Sequence, residues 1–157
     1  MTELFYLSLD IGCNNMAYAY FKNKDLIKYD LYSLDEDKKR NELIIHHRIN
    51  RLIQLIESFD TINKIIVEKQ FNTNTKAMSI MYSIATISKI KNIECIIYDP
   101  KDKFKYWNIP IDTKNKNHKK ESIKRCPVDL SMYKKQDDLA DAINQGLIYI
   151  QQHPQNS

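Results

Sequence analysis

Two short runs of β-favouring residues in this chain end in a carboxylate, and that pattern constrains the fold more than any other feature. The first is Leu4-Phe-Tyr-Leu-Ser-Leu-Asp10, followed by Ile11-Gly12, and the second is Lys64-Ile-Ile-Val67-Glu68. Apolar strands of this kind need burial, and a charge at the end of a buried strand is costly unless it has a partner or a task. A lone Asp-x-Gly is most often a turn cap. The chain has only two glycines, however, so Gly12 answers a backbone demand, a tight turn or the close approach of a ligand. Asp10 and Glu68 are the residues that the rest of the sequence has to explain.

Between them, Met16 to Phe21 reads as a second strand and Leu26 to Leu34 as a third, with Asn23-Lys-Asp25 as the turn, which makes an antiparallel meander. Asp35-Glu-Asp37 places acids where a helix start favours them, and Ile45, Ile49, Leu52, Ile53 and Ile56 recur at helical spacing. His46 and His47 point to different sides of that helix and read as ordinary helix residues. After Glu68 comes a polar loop with capping residues. The stripe Ala77, Ile80, Met81, Ile84, Ala85, Ile87 and Ser88 then predicts a helix whose small and apolar side serves as core or as a dimer contact. Glu94 to Tyr98 is a strand closed by Asp99-Pro100, Lys101 to Asn117 reads as a long loop, and Lys119 to Arg125 as a short helix before Pro127. A final helix runs from Gln136 to about Gln152, with Leu139, Ala142, Ile143, Leu147 and Ile150 on its buried side. A meander followed by helix-linked strands predicts an α/β fold with a mixed five-stranded sheet, its parallel part built by crossovers and its faces flanked by helices. At 157 residues this is expected to be one domain, 1–157.

The chain lacks any apolar run of about 18 residues and any secretory leader pattern, so an intracellular protein with no membrane partner is expected. Cys13, Cys95 and Cys126 are an odd number without a Cys-x-x-Cys pair, which argues against a disulfide framework and a structural zinc site. Cys13 has no obvious paired base and, like Met16, reads as a packing residue. The net charge is +4, but nine Lys or Arg face three acids between Lys101 and Arg125, so this segment carries +6 and the remainder −2. Phe104, Tyr106, Trp107 and His118 are interleaved with those cations, a composition suited to a phosphate backbone and unstacked bases.

Asp138 and Asp141, three apart, share a face of the last helix, and Asp137 with Asp141 is an equally legal helical pair. If the strands ending at Asp10 and Glu68 are neighbours and this helix packs across them, four hard oxygen donors converge. Such a group repels itself unless cations neutralise it, and magnesium is the natural occupant. Two ions about 3.5–4 Å apart between such acids are the machinery of phosphodiester cleavage, which is nuclease chemistry.

Leu9-Asp10-Ile-Gly12 with Asn15-x-Ala17-Tyr-Ala19, Val67-Glu68-Lys-Gln70, Lys119-Lys-x-Ser122 and Asp137-Asp138-Leu-Ala-Asp141 resemble the poxvirus Holliday-junction resolvases, relatives of the bacterial RuvC and fungal mitochondrial resolvases. Order and spacing match along nearly the whole chain. The resemblance implies an RNase H-like fold, a homodimer, and paired cuts in opposing strands of a four-way DNA junction during recombination and repair. It implies that Asp10, Glu68, Asp138 and Asp141 hold two Mg2+ ions, with Mn2+ as a substitute, and that Lys119 is the catalytic lysine, with Lys120 as the near alternative. The glycine-rich continuation after the first aspartate of the bacterial enzymes is absent here. The basic segment matches poorly outside the Lys119 region, so substrate contacts there cannot be carried over.

From its charge alone, that segment offers Lys101, Lys103, Lys105, Lys114, Lys116, Lys120 and Lys124 to phosphates, and Tyr106 or Trp107 to an opened base. A viral resolvase of this kind is expected at a cytoplasmic replication site of the host cell. The rival readings are an RNase H-like nuclease acting on RNA–DNA hybrids or structured RNA, and a non-catalytic nucleic-acid-binding module. A phosphate-binding ATPase of the actin or sugar-kinase type also begins with Asp-x-Gly on a strand, but it needs two such lobes, and this chain is too short.

Overall fold

The computed structural model describes residues 2–110 and 117–155. Strands β1 (Phe5–Asp10), β2 (Met16–Lys22) and β3 (Asp25–Tyr32) form the antiparallel meander; helix α1 (Ile44–Glu57) leads to β4 (Lys64–Glu68), helix α2 (Thr75–Ile90) and β5 (Glu94–Tyr98). Helices α3 (Pro100–Tyr106), α4 (Asn117–Arg125) and α5 (Gln136–Gln152) complete the chain. The sheet order is β3-β2-β1-β4-β5, with β1 parallel to β4 and β4 parallel to β5. The expected mixed five-stranded sheet flanked by helices is therefore present, with β1 and β4 side by side at its centre.

The alternation of side chains along β1 divides the core in two. Leu7 and Leu9 face α1 and α2, joined by Ile65 and Val67 of β4 and by Leu52, Leu55, Ile80 and Ile84 of the helices. Tyr6 faces the other way, with Ala17, Ala19 and Phe21 of β2 and Ile66 of β4, onto Leu139, Ala142 and Ile143 of α5. Period two then assigns Asp10 to the face of Tyr6 and Ser8, and Glu68 to the face of Ile66. Both carboxylates thus end their strands on the α5 side. Gly146 permits α5 to lie close to the sheet there, since a Cβ at that position would sit 2.4 Å from Phe21 Cε2 and 3.1 Å from Ser8 Cβ. Buried Gln145 beside it donates from Nε2 to Ser8 Oγ at 3.1 Å, Leu9 O at 3.2 Å and Ile66 O at 3.3 Å. One side chain thus ties α5 to both central strands.

Two local expectations are corrected, and the choice left open for the α2 stripe falls on core. The long loop from Lys101 to Asn117 begins instead as α3. Asp99 caps it by accepting from Lys101 N at 2.9 Å, and Pro100 occupies the first turn, where its missing N–H is harmless. Helix α1 starts at Ile44, well after the acids Asp35 to Asp37, because Asp37 adopts a left-handed backbone (φ 59°) that ends any helical run. Asp35 serves as the partner of Arg48, whose Nε and Nη2 donate to its two carboxylate oxygens at 2.7 and 3.0 Å. The α2 stripe is occupied as core, Ala77, Ile80, Met81, Ile84, Ile87 and Ser88 all being buried within the chain, which leaves Tyr82 and Ile90 exposed on the same helix. His46 is exposed, whereas His47 is buried against the Glu42 carboxylate at 3.0 Å. The three cysteines are free, and among the described residues no helix is long and apolar enough to cross a membrane.

Candidate active site

Asp10 and Glu68 end adjacent parallel strands, and their carboxyl groups are hydrogen-bonded to each other. Two carboxylates in contact cannot both stay charged without help. Burial, and then the charges of Glu68, Asp141 and Asp138, push Asp10 well above the usual carboxylate range. Burial also raises Glu68, which the Lys103 ammonium opposes and Asp141 reinforces, while the bond from Asp10 favours its charged form. With both carboxyl groups pushed above the usual carboxylate range, the pair disfavours carrying two negative charges.

Helix α5 supplies the other acids from its first turns. Asp138, half-buried, lines a cleft of about 330 Å3 with the Ile11–Asn15 turn and the start of α2. Burial raises it, and Asp137 and Asp141 add to the shift against Lys135 and Lys119. Asp141 is held from two sides, since Lys103 Nζ lies 2.6 Å and Ser122 Oγ 2.5 Å from its Oδ1. Asn144 in turn donates to Ser122 O at 2.8 Å and Oγ at 3.2 Å. This chain of bonds fixes Asp141 and leaves Oδ2 as its outward oxygen. Lys119 approaches from α4, with Nζ 2.9 Å from Asp137 Oδ2. Burial alone would raise Asp137, but the Lys119 hydrogen bond and charge hold it below the usual range, and the same bond raises Lys119.

The structure thus brings Glu68, Asp138 and Asp141 within electrostatic range of Asp10, and Lys119 within range of Asp138 and Asp141. Lys101, Lys105, Lys120 and Lys124 lie exposed on α3 and α4, as phosphate contacts require. Lys114 and Lys116 lie outside the described residues. Lys103 departs from the expectation of a surface cation: only 4% exposed, its ammonium sits between Asp141 and the rings of Phe104 and Trp107, 5.4 and 5.8 Å from their centroids. Trp107 is half-buried, with Arg125 stacked 5.1 Å over it, and Phe104 stacks on His118 at 4.1 Å. These rings glue α3 to α4 and are poorly placed to receive a base. Tyr106 is exposed, with its hydroxyl bonded to Gln151.

Sequence reasoning missed Ser122, Asn144 and Gln145 as parts of the site. A signal was present: Asp141, Asn144 and Gln145 fall at i, i+3 and i+4 on an otherwise apolar helix, and buried polar groups there need partners. Phe71 was also missed. It is 61% exposed, in the loop three residues beyond Glu68.

A family model described as the poxvirus A22 protein matches residues 5–153. The chain belongs to the poxvirus A22 protein family. That match spans every element from β1 to α5, including all four carboxylates and Lys119. No curated protein matches this family member in sequence. Among solved structures it is similar to Thermus thermophilus RuvC in complex with a Holliday junction substrate, with 11% identity and a TM-score of 0.63 over 96% of each chain. A second Thermus thermophilus RuvC structure gives a TM-score of 0.61 at 11% identity, covering 96% of this chain and 97% of that one. The yeast mitochondrial Holliday junction resolvase Ydc2 gives 0.58 at 15% identity, covering 94% of this chain and 80% of that one. At these identities the likeness is one of fold, and it places this chain in the RNase H-like architecture of RuvC.

Proposed function

We propose that this member of the poxvirus A22 family is a structure-selective endodeoxyribonuclease, a single nuclease domain that resolves four-way DNA junctions by paired cuts. The observation that carries the proposal is the meeting of Asp10, Glu68, Asp138 and Asp141 at the ends of two parallel strands and one helix, inside a fold shared with junction resolvases. The donor set suits divalent magnesium. All four are hard carboxylates, Asp10 and Glu68 touch, and their pairing requires a proton or a cation. Among the described residues no group of three or more carboxylates, histidines or cysteines is spaced to hold a metal ion as it stands. Two Mg2+ ions held there would supply an activated water and stabilise the leaving oxygen.

The protein groups then have separate tasks. Asp10, Glu68, Asp138 and Asp141 would hold the ions, whose positive charge would offset the repulsion among these acids. Lys103 and Ser122 hold Asp141 in orientation, the outer-sphere support that metal-binding carboxylates depend on. Lys119 opposes the negative charge that develops on the phosphate. Lys101, Lys105, Lys120 and Lys124 bind the backbone, giving an affinity that falls steeply with salt, and exposed Phe71 is placed to stack on a base opened at the crossover. Selectivity for the junction comes from shape: two sites on a homodimer fit two symmetry-related strands, and the exposed side of α2 with Tyr82 and Ile90 is the contact we favour. A protein of this family would act at the cytoplasmic replication site of the host cell.

The carboxylate shifts predict a pH-dependent response to metal. Folded Asp10 and Glu68 bind their proton more tightly than the unfolded chain does, so their contribution to stability falls as pH rises from the ordinary carboxylate range through the raised folded range. A cation that binds only the folded state restores what repulsion removes. Millimolar Mg2+ is therefore expected to raise the melting temperature more at about pH 7.5 than at about pH 5. An equal rise at both, or none, contradicts the assignment of these acids to a metal site. The substrate is tested by cleavage of a four-way junction against an RNA–DNA hybrid at equal concentration. Preference for the hybrid would favour the ribonuclease reading, and absence of metal-dependent nicking on any branched substrate would favour a binding module.

A further inference from the structure

We propose that Asp137 is a positioning residue that holds Lys119 at the edge of the carboxylate cluster, and that it is not itself a member of that cluster. Three acids open α5, and they diverge. Asp138 faces the cleft beside the Ile11–Asn15 turn, and Asp141 faces Lys103 and Ser122. Asp137 turns towards α4, where its Oδ2 meets Lys119 Nζ at 2.9 Å.

The pair joins unequal partners. The Lys119 side chain is 74% exposed and the Asp137 side chain 19%. A solvated lysine has many rotamers, and an ion pair with so exposed a partner adds little to stability. Helix α4 does not need this pair to stay in place, because Asn144 donates to Ser122 and Ser122 donates to Asp141. What the Asp137 contact does supply is orientation. It selects the conformers in which the Lys119 ammonium stays within electrostatic range of Asp138 and Asp141, the side on which the scissile phosphate would sit. A group that waits in place spares the reaction the entropy of finding it, and small misplacements of such groups cost about ten- to a hundred-fold in rate.

This inference rests on the reading of Lys119 as the lysine that assists cleavage, and the test separates the two. Single-turnover cleavage of a saturating four-way junction is measured with the full chain and with Asp137→Asn, Asp137→Glu, Lys119→Ala and the Asp137→Asn/Lys119→Ala double variant. Junction affinity and Mn2+ affinity are measured alongside. Asp137→Asn is expected to cut about ten-fold more slowly with both affinities within about two-fold of the parent, and Asp137→Glu to recover most of the loss. In the Lys119→Ala background, Asp137→Asn is expected to add less than about two-fold, since a residue that acts through Lys119 has nothing left to position. Full, independent losses in the double variant would overturn the proposal and assign Asp137 a separate structural role. A Mn2+ affinity lowered about ten-fold or more by Asp137→Asn would overturn it in favour of a metal ligand. Parental cutting by Lys119→Ala would overturn the reading of Lys119 itself. Slow cutting by Lys119→Ala with parental cutting by Asp137→Asn would overturn only the role of Asp137.

Discussion

Asp10→Asn is expected to give a protein that folds, melts at a higher temperature than the parent without metal, binds four-way junctions and does not cut them. The two halves of this outcome have one cause. Asp10 is crowded by Glu68, Asp138 and Asp141 on the α5 face of the sheet, and burial and repulsion both disfavour its charge. Asparagine keeps the shape and the hydrogen bond to Glu68 while removing the repulsion, so the metal-free fold gains stability at neutral pH. The same change deletes a carboxylate that would hold the catalytic cations. A loss of on the order of 10³-fold or more in single-turnover rate, ~4 kcal/mol of transition-state stabilisation, is expected. The lysines proposed to contact phosphates are untouched, so the junction Kd should change little. Calorimetry, a binding titration and a single-turnover assay read the three quantities separately. A melting temperature lowered by the substitution would show that the carboxylate is a structural partner and not a strained functional group.

Gly146→Ala is the second change with a large expected effect, through packing. Alanine is the better helix former by about 1 kcal/mol, so an exposed glycine at mid-helix would be improved by it. Gly146 is not such a site. An added Cβ would fall 2.4 Å from Phe21 Cε2 and 2.9 Å from Cζ, and Phe21 is fully buried on β2, with no free space into which its ring can withdraw. The helix must lift or the ring must leave its rotamer, and overpacking of this kind destabilises by about 1–3 kcal/mol. For a chain of this size that is a fall of roughly 2–4 °C in melting temperature per kcal/mol. Because α5 also carries Asp138 and Asp141, lifting it spreads the carboxylates and should slow cleavage as well. Phe21→Leu in the Gly146→Ala background makes room and should return part of both losses. A higher melting temperature for Gly146→Ala alone would refute the close approach of α5 to β2.

These two residues also mark how far the sequence could be read. That Asp10 and Glu68 each end a β-favouring strand was legible in the sequence, but their convergence was conditional on those strands being neighbours, which the sheet order β2-β1-β4 supplies. Strand ends are set by local composition, whereas strand order is decided by packing across the whole sheet. Asp138 and Asp141 followed from helical spacing. Lys103 could not be placed so simply. In the sequence it is one cation among many, and its burial depends on α3 presenting Phe104 and Trp107 around its ammonium, a tertiary arrangement. Helix α3 itself was legible in part: Asp99-Pro100 is a helix start as well as a strand stop, and the first role is the one realised. Gly12 was read as a turn or a close approach. The structure shows the tight turn: although Gly12 has no positive φ, a Cβ there would meet Asn15 O, three residues on, at 2.8 Å. Gly146 carried no sequence signal beyond its rarity, because which face of a helix touches a phenyl ring is decided by the partner strand.

The central claim is that one carboxylate cluster, presented twice by a homodimer, cuts two opposing strands of a DNA crossover. The most direct measurement follows each of the four strands of a mobile junction, end-labelled in turn, during incubation with the protein in Mg2+ and in chelator. The account predicts incisions in Mg2+ at symmetry-related positions of two opposing strands, ligatable duplex products, and no incision in chelator or by Asp10→Asn. Incision of one strand only, cutting in chelator, or an intact junction alongside a degraded RNA–DNA hybrid would contradict it.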